Sequence, residues 1–372
     1  VKLVLTGGGT GGHIYPGLAI AEAIGADPAF APFEVLFVGT RDRLEARIVP
    51  SAGVPIAFVR AAPLTRALSP RLVATLFANL AGFVQSLTIL HRARPDFLIA
   101  TGGYVSFPVV AALRLVRMLR RTRARIAVLE PNAAAGLTNR LLAPLADEMW
   151  YSIAPSRALA PRERVVGTPV RSSMRRVADV AAARVTLGLE PDATTVVVMG
   201  GSQGAASIND AVAALVLAGT LPHVQFAILA GARDYETLRA RLAGAANVAV
   251  FPYLDDPRDA YAAADLVVAR AGASTLGELA ATGTPALLIP YPHATDDHQT
   301  HNARAYAATG AARVIADREL DATRLATELA RALEPRTLAT LRVAARDRAA
   351  TDPRVTIVAR VKALVAANMS AP

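Results

Sequence analysis

Residues 2–12 read KLVLTGGGTGG, and residues 195–205 read TVVVMGGSQGA. Each is a run of apolar, largely branched residues that enters glycines and then a helix-like stretch. An apolar run without polar alternation suits a strand of a parallel sheet buried on both faces. The glycines let the backbone approach an anionic group, and the N-terminus of the next helix attracts negative charge. The two glycine runs begin at Gly7 and Gly200, 193 residues apart, which is about one domain length. The repeat predicts two similar α/β domains, each doubly wound and each opening on a strand and a phosphate-type loop.

Strands and helices alternate on either side of these loops. KLVLT, a helix from about Pro16 to Gly25, and EVLFVG make one β–α–β unit; DFLIA, a helix after Pro108, and RIAVLE make another. In the second half, ADLVVARAGAS and TPALLIPYP are again strands running into loops. The join is expected near Val166–Pro169, with a cleft between the carboxyl ends of two sheets, a usual ligand site. A length of 372 residues suits about two domains. With 53% hydrophobic and 19% charged residues the chain has enough to bury, which excludes a disordered protein. It holds no cysteine, so it has no disulfide framework or thiolate chemistry, and this fits the cytoplasm. Val1–Thr6 reads as a strand rather than a secretory signal. The net charge of +10 favours anionic partners, whether nucleic acid, anionic lipid or phosphorylated substrate, while an aromatic content of 5% argues against stacking platforms for single-stranded nucleic acid, and no nucleic-acid partner is expected.

Gly7, Gly9 and Gly12 satisfy GxGxxG, with Asp42 near the end of the second strand. That is the dinucleotide fingerprint, and it leaves a nicotinamide-dependent dehydrogenase as one reading. His13 begins the next helix, where the dipole disfavours protonation; a neutral imidazole there can act as a general base, or simply cap and pack. In the second half, Arg270–Glu278 is a strand end, a small-residue turn and a helix start. Its amides and the hydroxyls of Ser274 and Thr275 can hold a diphosphate, and Glu278 can reach two vicinal ribose hydroxyls. Thr275 and Glu278 also have capping-box spacing. Tyr291–Asn302 gathers His293, His298 and His301 with two aspartates and two amides, but lacks HExxH or clean metal-ligand spacing. A polar loop that reads sugar hydroxyls suits it better than a metal site.

Leu72–Leu90 carries no charge over nineteen residues, long enough to raise a membrane span. Thr75, Asn79, Gly82 and Ser86 nevertheless form a small polar stripe at helical spacing, so the stretch reads as an amphipathic helix. It is either core or an interfacial element flanked by Arg71, His91, Arg92 and Arg94. Leu76, Leu80 and Phe83 with Arg71 and Arg92 are the expected docking residues. Arg114–Arg125 adds a second basic stretch.

Seven motifs carry a resemblance: GGGTGGH, GGYVSFP, LEPNAAAGLTNR, VVGTPVR, GGSQGA, RAGASTLGELAATGTPAL and HATDDHQTHNA. In that order, and across the chain to about residue 350, they resemble the MurG family of bacterial glycosyltransferases. The resemblance implies a GT-B fold of two Rossmann-like doubly wound domains facing across a cleft. It implies an acceptor- and membrane-facing domain at 1–167, a UDP-GlcNAc-binding domain at 168–345, and a C-terminal helix at 346–372 that packs back on the first. It implies donor contacts at Thr10, Gly11, Gly12, Asn132, Arg171, Ser202, Leu254, Ala273, Ser274, Thr275, Leu276, Gly277, Glu278 and Gln299. His13 is then the favoured base and Glu130 a weaker one, with no metal or cofactor required. The implied activity is inverting transfer of GlcNAc to undecaprenyl-pyrophosphoryl-MurNAc-pentapeptide in peptidoglycan synthesis. The implied place is the cytoplasmic face of the plasma membrane, held peripherally to an anionic surface. Two positions depart from the family. Leu129 stands where a histidine is common, so no histidine there is required, and Thr168 stands where asparagine is common. A UDP-GlcNAc 2-epimerase of the same fold would keep the donor contacts without the lipid acceptor. The repeated glycine loop and the HQxxN stretch count against a dehydrogenase, and a non-catalytic nucleotide-sugar binder is the remaining alternative.

Overall fold

The structure, a computed structural model, describes residues 1–63, 70–175, 179–201, 204–254 and 256–369, with side chains from residue 73 in the second segment and to residue 366 in the last. The chain divides into two compact units, Val1–Arg171 with Asp352–Pro372, and Ser172–Thr351. The first unit runs β1 (Lys2–Thr6), α1 (Gly11–Gly25), β2 (Glu34–Gly39), α2 (Glu45–Ser51), β3 (Ile56–Phe58), α3 (Pro70–Ala93), β4 (Phe97–Ala100), α4 (Ser106–Met118), β5 (Arg125–Glu130), α5 (Leu137–Leu142), β6 (Glu148–Tyr151) and β7 (Glu163–Val165). The second runs α6 (Val180–Thr186), β8 (Thr194–Met199), α7 (Ala206–Leu217), β9 (Val224–Leu229), α8 (Tyr235–Arg241), β10 (Val248–Phe251), α9 (Arg258–Ala263), β11 (Leu266–Ala269), α10 (Ala273–Thr282), β12 (Ala286–Leu288), α11 (His298–Ala307), β13 (Ala312–Val314), α12 (Ala322–Leu333) and α13 (Pro335–Ala350). A last helix, α14 (Pro353–Met369), returns to the first unit.

Among the described residues the first sheet has the order β3-β2-β1-β4-β5-β6-β7 and the second β10-β9-β8-β11-β12-β13, and every pairing is parallel. The unbroken apolar runs follow from burial on both faces. Leu3, Leu5, Phe97, Ile99, Leu129 and Trp150 pack with Ile14 and Leu18 of α1 and Ile357 and Val361 of α14. The alternate residues Val4, Leu98, Ile126, Val128 and Met149 pack on the opposite face with Leu90 of α3 and Val109 and Leu113 of α4. In the second unit Val196, Val198, Phe226, Ile228 and Val268 meet Ile208, Val212 and Leu215 of α7 and Leu325 and Leu329 of α12. The two Rossmann-like folds are thus built from the same period-two pattern.

The crossover to α14 falls at Thr351–Asp352 rather than at 345–346, because α13 runs unbroken to Ala350 and its last turns lie against Gly283 at the end of α10. Buried Glu148 anchors α14: it accepts from Trp150 Nε1 at 2.7 Å and from the Arg360 guanidinium, and Lys362 pairs with Asp27 at 2.7 Å. Ile357 is fully buried on this helix, whereas Val355 is 67% exposed. Ile357→Ala is therefore expected to lower the stability of the first unit by about 3 kcal/mol, and Val355→Ala by less than about 0.5 kcal/mol. Chemical denaturation of the full chain checks the difference.

Candidate active site

In each sheet the strand order turns back at one pair of neighbours, β1 with β4 and β8 with β11. Register places Thr6 beside Ala100 and Met199 beside Ala269. The connections leaving such a pair diverge to opposite faces and open a crevice at the carboxyl ends. The first unit's crevice receives Gly7–Thr10 and Thr101–Val105. The second unit's receives Gly200, Gly201, Gly204 and Ala205 with Arg270–Gly272.

Helix α1 begins at Gly11, two residues before His13 and five before Pro16, the two starts the sequence suggests. Proline this close to a helix start removes only a single backbone donor, the one owed to the Gly12 carbonyl. Extended Thr10 is the N-cap, and its carbonyl accepts the amides of His13 at 3.1 Å and Ile14 at 3.3 Å. His13 is the third helical residue, and its Nδ1 lies 2.9 Å from the Thr101 carbonyl oxygen. A carbonyl only accepts, so Nδ1 carries the hydrogen, and the neutral ring keeps its lone pair on Nε2. Thr101 Oγ1 donates back to the His13 carbonyl at 2.6 Å. Gly102 lies beneath the ring at φ +101, where a Cβ would stand 2.6 Å from Nδ1. Backbone and glycine together fix the tautomer.

The first glycine loop is not an open anion cradle. Fully buried Glu45 accepts the Gly9 amide at 3.1 Å on Oε2, and the Thr40 amide at 3.1 Å and hydroxyl at 2.6 Å on Oε1. A Cβ on Gly8 would lie 2.4 Å from Oε1. A carboxylate thus takes an amide that the dinucleotide reading gives to phosphate, and Asp42 lies exposed in the following turn. Gly11 and Gly12, partly exposed in the first turn of α1, keep amides with no intrahelical acceptor. The sequence hides Glu45, because Arg41, Asp42 and Arg43 make its surroundings read as a solvated turn.

Glu130 is likewise buried. Its Oε1 accepts the Asn132 amide at 2.9 Å and side chain at 3.1 Å; its Oε2 accepts the Gly136 amide at 3.1 Å and Asn139 Nδ2 at 2.8 Å. Four donors on one carboxylate suit an anchor for the 131–139 loop. Both oxygens are engaged by donors of that loop. Arg171 stacks its guanidinium 5.4 Å above the Tyr15 ring.

Helix α3 inverts the usual amphipathic sense. Its small stripe faces inward: Thr75 and Ser86 are buried, Asn79 Nδ2 donates to the Ala62 carbonyl at 3.0 Å, and the Arg60 carbonyl occupies the space a Cβ on Gly82 would need. Val73, Leu76, Phe77, Leu80 and Val84 are each more than half exposed and form one stripe. Leu76 and Leu80 stand in it and Arg92 is exposed at the far end. Phe83 does not, since it packs against the core beside Leu87. The side chain of Arg71 lies outside the described residues. The helix is long and apolar enough to cross a bilayer by length and composition, but its inner face is fixed to the unit.

In the second unit Ser202 and Gln203 lie outside the described residues. Helix α10 starts at Ala273 after extended Gly272, with no side-chain cap, so the Thr275–Glu278 capping box does not form. The amides of Ala273, Ser274 and Thr275 open the helix and keep the positive end of its dipole. Leu276 and Gly277 are buried beneath them. Glu278 accepts instead from Tyr261 Oη at 2.7 Å. Arg270 braces the turn: it donates to the Ile289 and Pro290 carbonyls at 3.1 and 3.2 Å, to Ser207 Oγ at 2.8 Å and to Asp317 at 2.5 Å. Leu254 lies half-buried just beyond β10.

Gln299 Oε1 accepts the Tyr291 amide at 3.0 Å, and fully buried Asn302 donates to the Ala271 carbonyl at 3.1 Å, so the HQxxN stretch is tied to the turn before α10. Asp296 and Asp297 both adopt left-handed backbone, which costs about 1 kcal/mol each. Such strain gathers at functional loops. Among the described residues no three histidine, cysteine, aspartate or glutamate side chains are grouped to hold a metal.

Two family models match the chain: the glycosyltransferase family 28 N-terminal domain over residues 3–151 and its C-terminal domain over residues 195–354. A UDP-N-acetylglucosamine–N-acetylmuramyl-(pentapeptide) pyrophosphoryl-undecaprenol N-acetylglucosamine transferase of Halothermothrix orenii is 39% identical over 338 residues, 87% of this chain and 88% of that protein. The Salinibacter ruber enzyme of the same name is 41% identical over 326 residues, 86% of this chain and 85% of that protein. The crystal structure of Acinetobacter baumannii MurG superposes with a TM-score of 0.75 at 25% identity, covering 97% of this chain and 99% of that one. A putative UDP-N-acetylglucosamine 2-epimerase from Listeria monocytogenes reaches a TM-score of 0.66 at 13% identity, over 99% of this chain and 96% of that one, a likeness of fold alone.

Glu45→Gln turns one acceptor oxygen into a donor that faces either the Gly9 or the Thr40 amide. The loss of hydrogen bonds to a charged, buried acceptor is expected to cost about 1.5–3 kcal/mol, read as a lowered unfolding midpoint in urea.

Proposed function

We propose, for a chain that belongs to glycosyltransferase family 28 and within it to the UDP-N-acetylglucosamine–N-acetylmuramyl-(pentapeptide) pyrophosphoryl-undecaprenol N-acetylglucosamine transferases, that it moves GlcNAc from UDP-GlcNAc to a muramyl hydroxyl of the lipid-linked acceptor. The observation that carries this reading is the His13 imidazole held with Nδ1 2.9 Å from the Thr101 carbonyl oxygen, which favours a hydrogen on Nδ1 and a lone pair on Nε2. The muramyl oxygen attacks the anomeric carbon, the bond to the UDP oxygen breaks with inversion, and His13 Nε2 takes the hydroxyl proton. Negative charge that develops on the leaving diphosphate meets the helix N-terminus at Ala273–Thr275, with Ser202 and Arg171 as further donors. Glu278 takes the ribose hydroxyls, and Gln299 reads the sugar. Thr10, Gly11, Gly12, Asn132, Leu254, Leu276 and Gly277 complete the donor's surroundings. No metal or cofactor is assigned a step.

The exposed stripe of α3 is read as a peripheral docking face at the cytoplasmic surface of the membrane. Five half-exposed apolar side chains contribute roughly 1 kcal/mol each on entering the interface, about half of a full burial. A total of ~5 kcal/mol is close to that of a single acyl chain, which binds reversibly. Arg92 and the basic end of α4 add attraction to anionic lipid. A lipid-linked acceptor stays in the bilayer, so an enzyme that visits the surface meets it there.

UDP release is to be measured from UDP-GlcNAc with and without a short-chain lipid-linked muramyl-pentapeptide, with mass spectrometry of the lipid. Acceptor-dependent release with a disaccharide–lipid product is expected. Conversion of UDP-GlcNAc alone to UDP-ManNAc would move the assignment to the epimerase. His13→Ala is expected to lower kcat by ~100-fold, and Gly102→Ala, which drives a methyl into the ring, by at least about tenfold. A loss under about tenfold for His13→Ala with unchanged KM removes His13 as the base. In flotation with anionic vesicles, Leu76→Asp with Leu80→Asp is expected to release the protein; retention equal to the parent chain contradicts the docking face.

A further inference from the structure

The phenol of Tyr261 is a polar group in the second unit that the reaction above does not use. Tyr261 lies on α9, is 2% exposed, and spends its hydroxyl on Glu278 Oε2 at 2.7 Å. Glu278 itself is partly exposed, on the second turn of α10. Burial and the neighbouring Glu278 charge push the phenol well above its ordinary range, so it remains a hydrogen-bond donor at physiological pH.

We propose that Tyr261 is a positioning residue for the donor's ribose, holding the Glu278 carboxylate in the plane that two vicinal hydroxyls require. The inference rests on the reading of Glu278 as the ribose ligand and deepens it. A glutamate side chain has three rotatable bonds, and a partly exposed carboxylate loses that freedom on binding a diol unless something has already fixed it. The buried phenol on Oε2 restricts that freedom. Each carboxylate oxygen has two lone pairs, so Oε2 can accept from the phenol and still accept from a hydroxyl. The phenol is anchored by its own burial against α10, and it therefore orients Glu278 without touching the nucleotide. The recognised chemistry is a cis-diol, so the arrangement selects a ribonucleoside diphosphate sugar over its deoxy counterpart.

Tyr261→Phe deletes one oxygen and leaves the packing. The test compares UDP-GlcNAc with 2′-deoxy-UDP-GlcNAc as donors for the full chain with the lipid-linked acceptor. For Tyr261→Phe the KM for UDP-GlcNAc is expected to rise about tenfold, the size of one hydrogen bond to a charged group, with kcat at saturating donor within about twofold. The preference for the ribose donor is expected to shrink by a similar factor. Glu278→Gln is expected to shrink it at least as far, and the double variant no further, since both act through one contact. Tyr261→Phe with full preference and unchanged KM, beside a Glu278→Gln that has lost the preference, overturns the role of Tyr261 and leaves the ribose reading standing. A Glu278→Gln that keeps the preference overturns the ribose reading and the proposal together.

Discussion

Strands that run parallel and are buried on both faces leave each unit no polar ground along its sheet, only beyond the strands' carboxyl ends. There the chain must satisfy backbone groups and turn into helices within a few residues. Where the strand order reverses, two such turns diverge and a crevice opens between them. The rest of the chemistry depends on that constraint. His13 has its tautomer because the chain leaves β4 through Thr101, whose carbonyl faces the first turn of α1. Glu278 meets Tyr261 because α10 leaves β11 at the corresponding place in the second unit.

Much of this was legible in the sequence, and the reasons are specific. KLVLT and TVVVM read as doubly buried strands because no polar residue interrupts them, and the glycine runs after them marked the two reversal points. His13 was legible because a histidine directly after a glycine loop has few other places to be. The start of α1 was legible only to within a turn, because Pro16 also reads as a first helical residue when the five residues before it include two glycines. Glu45 went unread, and the partners of Glu130 were not foreseen, for a common reason. A glutamate among polar neighbours looks solvated or catalytic, and only the fold reveals that backbone amides converge on it.

Helix α3 teaches the opposite lesson about pattern. Its period was read correctly, but the usual rule that the larger apolar residues face the core fails there. Small residues face inward because the segment at Arg60–Ala62 runs so close that only Gly82 and short side chains fit. Leu76, Phe77 and Leu80 are left outside, while Leu87 and Leu90 further along reach the core. A monomer in water gains nothing from that arrangement, which is the physical reason to look for an apolar phase beside it.

The account turns on one hydrogen atom, the one on His13 Nδ1. Nitrogen NMR of the uniformly labelled chain, with His13→Gln to assign the signal, measures it directly. The account requires a neutral ring at pH 7 with a protonated, pyrrole-like Nδ1 and a pyridine-like Nε2. A ring with its proton on Nε2, or one doubly protonated at that pH, would contradict it.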